Sequence, residues 1–254
     1  MDMLEKIAEA KEKKLPKLDL SNYKIRILPP QLFELEHLEE LFLDSNLLVE
    51  LPEEIVALRN LRRLSISEND LMILPENLGE LKNLRRLYLG YNNLSDLPES
   101  VGELSEMYKM NVAGNDLLDV PESLGNLKKM IKLSLHDNLL EEIPSSFGDM
   151  TALEELLLDN NELEEAPESL SALENLRVLV LSGNLLTGLP EKFGAFKVLK
   201  ELVLDENSIT SLPDSLADVE TLKVLSISSN PLEALPPKLQ ERADKESLQV
   251  VLES

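Results

Sequence analysis

One spacing dominates this sequence: Asn and Pro each recur every 23 residues, without a single insertion. Two independent ladders that keep one step, over nine units for Asn and ten for Pro, indicate stacked repeats rather than domains with closed cores. The Asn ladder, predicted to be structural, is Asn46, Asn69, Asn92, Asn115, Asn138, Asn161, Asn184, Asn207 and Asn230. The Pro ladder is Pro29, Pro52, Pro75, Pro98, Pro121, Pro144, Pro167, Pro190, Pro213 and Pro236.

Each 23-residue unit, called a coil below, reads L-x-x-L-x-L-x-x-N-x-L-x-x-L-P-x-x-L-x-x-L-x-x. The L-x-L alternation predicts a short strand with Leu41 and Leu43 pointing inward and Phe42 outward, stacked in parallel on the next coil's strand. The Asn side chain has both a donor and an acceptor, so a buried Asn column is expected to bond the backbone of neighbouring coils. Pro followed by acidic residues predicts the first position of a short helix on the opposite side.

This pattern resembles the leucine-rich-repeat family over about residues 15–242. Leu-Pro in the second half of a 23-residue unit is similar to the intracellular type found in Ras-group signalling scaffolds and in many bacterial repeat proteins. The resemblance implies an α/β fold, namely a right-handed solenoid shaped like a horseshoe. A parallel sheet would line its concave face, and short helices or 3₁₀ turns its convex face.

The two ends of the stack need covers, because a terminal coil would expose its apolar faces to water. Residues 1–14 are predicted to form an N-terminal capping helix with Met3, Leu4, Ile7 and Ala8 on one side. Residues 15–242 hold the ten repeats. In the first coil, Tyr23 stands where Asn is expected.

Residues 243–254 are predicted to form a C-terminal cap. Arg242 replaces the last inward apolar residue, and helix is expected to follow. The Gln-Val-Val sequence within 248–252 leaves a strand as the alternative there. The side chains expected to close the core are Ala243, Leu248, Val251 and Leu252.

The charge of the chain restricts its partners. A net charge of −23, from 48 acidic and 25 basic residues, would repel phosphate backbones and anionic lipids, so no nucleic acid and no membrane is expected as partner. Absence of Cys excludes disulfides, thiolate metal sites and a Cys nucleophile. With no signal peptide and no apolar run of spanning length, we expect a cytoplasmic protein. A mature secreted chain without Cys-rich caps is the alternative.

The sequence offers little for catalysis. It has only two His: His37 lies on the back of its coil, and His136 is expected beside Asp137 and one coil from Asp159. A solvated His among carboxylates is favoured over a metal or acid/base site. Recurring glycines fit no phosphate-binding motif and are interpreted as structural. The acid pairs Glu141-Glu142 and Glu164-Glu165 are interpreted as solvated rather than calcium-binding. We therefore predict no enzyme, no cofactor and no metal.

Outward strand positions are free of scaffold duties, so they are where recognition is encoded. One such column contains four successive cations, whose mutual repulsion costs free energy unless something answers them: Glu40, Arg63, Arg86, Lys109, Lys132 and Glu155. Tyr88, Tyr91 and Tyr108 lie on the same coils and are expected to form a cluster there, with Phe42 two coils earlier. Because Tyr and Arg are enriched in binding hot spots, coils three to six are the predicted binding site. Simple packing of the rings on arginine stems is the alternative.

A second patch lies further along the chain, where residues 133–176 contain twelve acids and no Lys or Arg. Leu157, Val178, Val180 and Val203 give it an apolar outward surface edged by Asp159, Asp205 and Glu206. It suits a partner with basic residues around an apolar one, or self-association.

The sequence thus predicts a protein-interaction module that recognises a partner on its concave face. Family resemblance implies a scaffold or regulator of signalling whose partner is a small GTPase, kinase or phosphatase. A bacterial effector or surface-recognition protein that binds a host target is the alternative. The predicted partner-binding residues are Phe42, Arg63, Arg86, Tyr88, Tyr91, Tyr108, Lys109, Lys132, His136, Leu157, Val180 and Val203.

Overall fold

The fold is a stack of coils, seen in a computed structural model that describes residues 2–252. Each coil contributes one three-residue strand, and the strands pair in parallel in chain order to form a single sheet. Residues 2–252 contain eleven strands, one more than the ten coils predict, because the segment after the last coil adds its own strand. The predicted α/β solenoid is confirmed.

Strands β1 to β11 span Lys17–Asp19, Glu40–Phe42, Arg63–Ser65, Arg86–Tyr88, Lys109–Asn111, Lys132–Ser134, Glu155–Leu157, Val178–Val180, Glu201–Val203, Val224–Ser226 and Gln249–Val251. Helices α1 and α2 span Met3–Lys13 and Pro237–Asp244. The 3₁₀ helices span Pro30–Glu34, Glu53–Ala57, Leu78–Glu80, Glu99–Glu103, Glu122–Asn126, Ser145–Asp149, Glu168–Ala172, Glu191–Ala195 and Asp214–Asp218.

The 3₁₀ helices form the side opposite the sheet, as expected, but the ladder Pro does not occupy their first position. Pro52 is the N-cap, with extended backbone (φ −73°, ψ 154°), and the helix starts at Glu53. The Pro carbonyl accepts the first helical hydrogen bond, from the N–H of Ile55 at 3.1 Å. Pro is therefore suited to the cap by its fixed φ, and the acidic residue takes the first helical position.

The core is one continuous column of Leu-rich layers. Leu41 and Leu43 are fully buried while Phe42 between them is half-buried and faces outward, which confirms the predicted alternation. Every coil repeats this arrangement, so burial continues from α1 through to the last strand. Each coil can bury its apolar residues only against its neighbours.

The buried Asn ladder joins consecutive coils. Asn138 Nδ2 donates to the carbonyls of Leu135 and His136 in its own coil and of Val112 in the preceding one, at 2.9, 3.2 and 3.1 Å. Its Oδ1 accepts from the N–H of Leu117, 3.2 Å away, in that same preceding coil. The equivalent bonds recur along the ladder, so the turn that follows each strand is tied to the coil before it.

Helix α1 lies against the first coil, but its buried face differs from the prediction. Ile7 and Ala10 are buried, whereas Leu4 and Ala8, expected on the inner side, are exposed. The N-terminal end is fixed by a capping box between Asp2 and Glu5. The position of this start sets the rotation of α1 about its own axis. The face that contains Ile7 and Ala10, three residues apart, therefore points toward the first coil.

The C-terminal segment contains both of the alternatives left open by the sequence: α2 ends at Asp244 and strand β11 follows. Leu248 is buried, but Leu252, expected in the core, is 53% exposed. Arg242, at the position of an inward apolar residue, donates to the carbonyls of Ala217, Val219 and Leu222 at 3.1, 2.9 and 2.8 Å. Its guanidinium thus satisfies carbonyl groups at the end of the stack.

Recurring glycines let neighbouring 3₁₀ helices approach closely. A Cβ added at Gly125 would lie only 2.4 Å from the carbonyl oxygen of Ser146 in the next coil. No side chain fits there unless the backbone moves, which confirms that these glycines are structural. At Gly188, by contrast, the nearest atom to an added Cβ is 3.9 Å away.

Replacing Asn138 with Ala is expected to lower the free energy of unfolding by roughly 1–3 kcal/mol, because it leaves the buried N–H of Leu117 without its acceptor and removes one hydrogen bond from each of three carbonyls. Urea unfolding monitored by circular dichroism measures this loss. Asn126→Ala, at an exposed position, is the control. Equal losses in the two variants would contradict the role assigned to the ladder.

Gly125→Ala is expected to destabilise the fold by roughly 1–3 kcal/mol, since the new methyl group overlaps the backbone of the next coil. The same substitution at Gly188 should change stability by no more than about 0.5 kcal/mol. Thermal unfolding of the two variants side by side tests the close approach. A tolerated Gly125→Ala would refute it.

Candidate functional site

The open face of the sheet is the main surface on which this fold displays varied side chains. On β1 to β10 the central residue is buried and the first and third residues face outward, so β2 presents Glu40 and Phe42. Parallel pairing aligns equal positions of successive coils, so the outward residues form two columns across the sheet.

The first column brings together the cations predicted from the spacing. Arg63 pairs in register with Arg86, Arg86 with Lys109, and Lys109 with Lys132. The column is bounded by Glu40 beside Arg63 and by Glu155 beside Lys132. Neighbouring strands lie about 4.8 Å apart, so like charges are held at close range.

Aromatic side chains of the second column stack on these cations. The guanidinium of Arg63 lies between two rings, 4.6 Å from the centroid of Phe42 and 5.0 Å from that of Tyr88. Lys109 Nζ lies 5.7 Å from the Tyr88 ring on its other side. The interpretation that rings pack on cationic side chains is therefore correct for Phe42 and Tyr88, and the packing orders Arg63.

Carboxylates neutralise only part of the positive charge of the first column. Arg86 Nη2 lies 3.5 Å from Glu40 Oε1, and Lys132 forms an ion pair with Glu155. Within residues 2–252, neither Arg63 nor Lys109 forms an ion pair or a side-chain hydrogen bond. The Nε atoms of Arg63 and Arg86 are buried without an acceptor. Uncompensated charge is thus confined to the middle of the column.

Lys17 extends the first column by one strand and was missed by the sequence analysis, although it lies 23 residues before Glu40. Its Nζ is 4.6 Å from the Phe42 ring. Asp19 faces outward on the same strand. Burial raises the pKa of the Asp19 carboxyl, but hydrogen bonds from Ser21 and the charges of Lys6 and Lys17 outweigh burial and lower it. Asp19 is therefore ionised at neutral pH and offsets Lys17.

The three tyrosines do not form one cluster, contrary to the prediction. Tyr88 pairs in register with Asn111, so Tyr108 precedes that level of the sheet by three residues, whereas Tyr91 follows it by three. Tyr91 lies in the turn after β4 with φ of 57° and is 58% exposed. Its ring packs across Gly114 of the next coil, where an added Cβ would lie 2.7 Å from Tyr91 Cδ1. Tyr108 and Tyr91 thus flank the strands at opposite ends.

The second predicted patch is also assembled by the register. Leu157, Val180 and Val203 are consecutive in the second column, and all three are half-buried. His136 lies between the two patches, with Nδ1 3.6 Å from a carboxylate oxygen of both Asp137 and Asp159. Throughout residues 2–252, no group of three or more His, Asp or Glu side chains has an arrangement that could hold a metal ion.

Stacked coils, a single parallel sheet and a buried Asn ladder define a repeat solenoid. The family description "Leucine-rich repeat region" matches residues 73–184, and "Leucine rich repeat" matches residues 13–71 and 174–232. The chain therefore belongs to the leucine-rich-repeat family. None of the curated proteins compared with the chain matches it. No helix of the described chain is long and apolar enough to cross a membrane.

Solved structures with the same fold include plant receptor ectodomains. The ectodomain of the Arabidopsis thaliana receptor kinase GASSHO1/SCHENGEN3, in complex with CASPARIAN STRIP INTEGRITY FACTOR 2, is 33% identical with a TM-score of 0.81, covering 93% of this chain and 29% of that one. The Arabidopsis receptor kinase HAESA, in complex with the peptide hormone IDA and the co-receptor SERK1, is 30% identical with a TM-score of 0.76. Coverage there is 93% of this chain and 45% of that one. This chain therefore spans less than half the length of either.

Lys109→Glu is expected to raise the thermal midpoint, because it places a carboxylate between Arg86 and Lys132 in a column where like charges now adjoin. The gain is worth about 0.2–1 kcal/mol and should shrink in high salt. Lys132→Glu is the matched variant. It removes the ion pair with Glu155 and should lower the midpoint. Shifts of the same sign in both variants would contradict the charge pattern described here.

Proposed function

We propose that this chain is a protein-interaction module that binds a segment of a partner protein across β2 to β6. The observation that carries the proposal is Arg63, which forms no ion pair among residues 2–252 and is held between the rings of Phe42 and Tyr88 on the outward face of the sheet. A side chain already ordered by stacking loses little conformational entropy on binding. Arg and Tyr are also the residue types that contribute most to binding energy at protein interfaces.

Charge and comparison both support a protein as the partner. An overall charge of −23 disfavours polyanionic surfaces, so the positive middle of the sheet is suited to a partner with locally concentrated negative charge. The similar receptor kinase HAESA was solved in complex with a peptide hormone and a co-receptor, so the fold is compatible with binding of both kinds. Tyr91 and Tyr108 would then contact the partner at the two ends of the strands.

We further propose a cytoplasmic scaffold or regulator of signalling. A small GTPase, kinase or phosphatase is proposed as the partner only because the repeat resembles the Ras-group type. The assignment to the Ras-group type rests on the same sequence resemblance. A bacterial effector directed at a host protein is the alternative. Catalysis has no part in the proposed mechanism, which is recognition by a preorganised surface.

The patch of Leu157, Val180 and Val203 is proposed as a second contact on the same face. Asp159 and Asp205 border it, so it is suited to a segment in which basic residues flank an apolar one. A partner that spans both patches would bury a larger continuous surface than either patch offers alone.

The triple variant Arg63→Glu, Arg86→Glu, Tyr88→Ala is expected to abolish binding of the partner captured from the native cell and identified by mass spectrometry. Binding should be lost because the variant lacks both the stacked cation, Arg63, and the ring of Tyr88 that orders it. Isothermal titration calorimetry with the purified partner measures the loss. Circular dichroism should show a nearly unchanged thermal midpoint, because none of the three side chains belongs to the core.

The control is Lys200→Glu with Lys223→Glu, which reverses charge at exposed positions on the edge of the same sheet, next to β9 and β10. This pair should retain binding. If the triple variant keeps full affinity, the site lies elsewhere.

A further inference from the structure

The uncompensated positive charge of the sheet occupies a short interval. Arg86 forms an ion pair with Glu40, and Lys132 forms one with Glu155. Arg63 on β3 and Lys109 on β5 form no ion pair in the part of the chain that the structure describes. With one strand between them, these two cations start about 10 Å apart. Their charged groups lie 5.0 and 5.7 Å from the centroid of the Tyr88 ring, so they flank one spot above that ring.

Arg63 is positioned to offer its terminal nitrogens. Its Nε is buried without an acceptor by the two stacked rings. The two Nη atoms form no hydrogen bond among residues 2–252 and, unlike Nε, are not buried. A planar guanidinium with free Nη atoms presents a fork that matches two oxygens of one anionic group. Lys109 adds a point charge from the opposite side of Tyr88.

The boundaries of this interval determine the size of the anion. Glu40 and Glu155 lie at the two ends of the run from Arg63 to Lys132, and residues 156–176 after Glu155 hold six acids and no Lys or Arg. A long acidic segment, a polynucleotide or an anionic bilayer would meet these carboxylates and be repelled. A single compact anion would not reach them.

We infer that the spot between Arg63 and Lys109, over Arg86 and Tyr88, binds one phosphate monoester on a phosphorylated side chain of the partner protein. This inference rests on the proposed function and specifies its chemistry. A phosphate monoester carries about −1.5 to −2 charges at pH 7 and three acceptor oxygens. It can therefore neutralise two cations at once, with two oxygens bound by the Nη atoms of Arg63 and the third oxygen directed toward Lys109. A lone carboxylate, with one charge and two oxygens, leaves one cation unanswered.

Partner binding would then be switched by phosphorylation of the partner. The unphosphorylated segment retains its contacts with Phe42 and Tyr88 but leaves the cations repelling one another. Repulsion among the cations destabilises the free sheet, and only a phosphorylated partner relieves it. That relief raises the affinity for the phosphorylated partner above the affinity for the unmodified one.

The test uses the full chain, labelled with ¹⁵N, and short alanine peptides that carry a central phosphotyrosine, phosphoserine, Glu or Tyr. Both phosphopeptides are expected to shift amide resonances of β3, β4 and β5 in a saturable way. Their affinity should exceed that of the Glu peptide about tenfold or more. It should fall as the pH is lowered through about 6, where the phosphate takes up a proton.

Arg63→Gln and Lys109→Gln should each weaken phosphopeptide binding about tenfold, whereas Lys223→Gln, a control outside the column, should not. Equal affinity for the Glu peptide and the phosphopeptides, or shifts mapping away from β3 to β5, would overturn the inference. Stronger binding of phosphatidylcholine vesicles containing a phosphatidylinositol phosphate, or of a single-stranded oligonucleotide, would assign the site to another ligand and overturn it too.

The two proposals fail separately. Loss of partner binding in the triple variant, combined with no preference for phosphopeptides, leaves the interaction module intact and removes the phosphate. Phosphopeptide binding at β3 to β5, combined with full partner affinity in the triple variant, shows an anion site that the partner does not use.

Discussion

The buried Asn side chains are the constraint on which the rest of this structure depends. Each one bonds the backbone of its own coil and of the coil before it, as Asn69 does with Ile66 and Leu43. Those bonds fix the residue at which the chain leaves the sheet in each coil. They thereby fix which residues of successive coils lie side by side in neighbouring strands. Strand register in turn sets which outward side chains are neighbours. The cation column and the aromatic stack exist because this turn is held identically in successive coils.

The interior of the fold was predictable from the sequence because it obeys a single period. Leu41 and Leu43 were correctly placed inward by alternation alone. The ends lack that information. Helix α1 presents Ala10 rather than Ala8 to the core because its start at the Asp2 cap sets its rotation, which an apolar count over eleven residues does not define. Leu252 was expected inside, but strand β11 has ended one residue before it.

The candidate site was predictable to the level of columns but not of contacts. Spacing places Arg63 beside Arg86, and the structure has them in register. Insertion of Arg63 between Phe42 and Tyr88 depends on rotamers, which spacing does not specify. Grouping Tyr91 with Tyr108 was wrong because membership of neighbouring coils does not imply proximity. Six residues separate their levels along the strand direction, and the sheet lies between them.

The close approach of 3₁₀ helices also restricts which coils can adjoin. Gly79, Gly102, Gly125, Gly148 and Gly194 each face a Ser carbonyl of the following coil. Where coil two carries Val56 instead, the following coil has Asn77 in place of Ser, and its 3₁₀ helix shortens to Leu78–Glu80. Coils four, five and six each carry both the Ser and the Gly, so their junctions are alike, whereas coils two and three meet in a junction of another kind. Duplication of a coil that carries both residues would preserve the junctions on either side of it. The repeat can thus lengthen in its middle, and each added coil would extend both outward columns of the open face by one position.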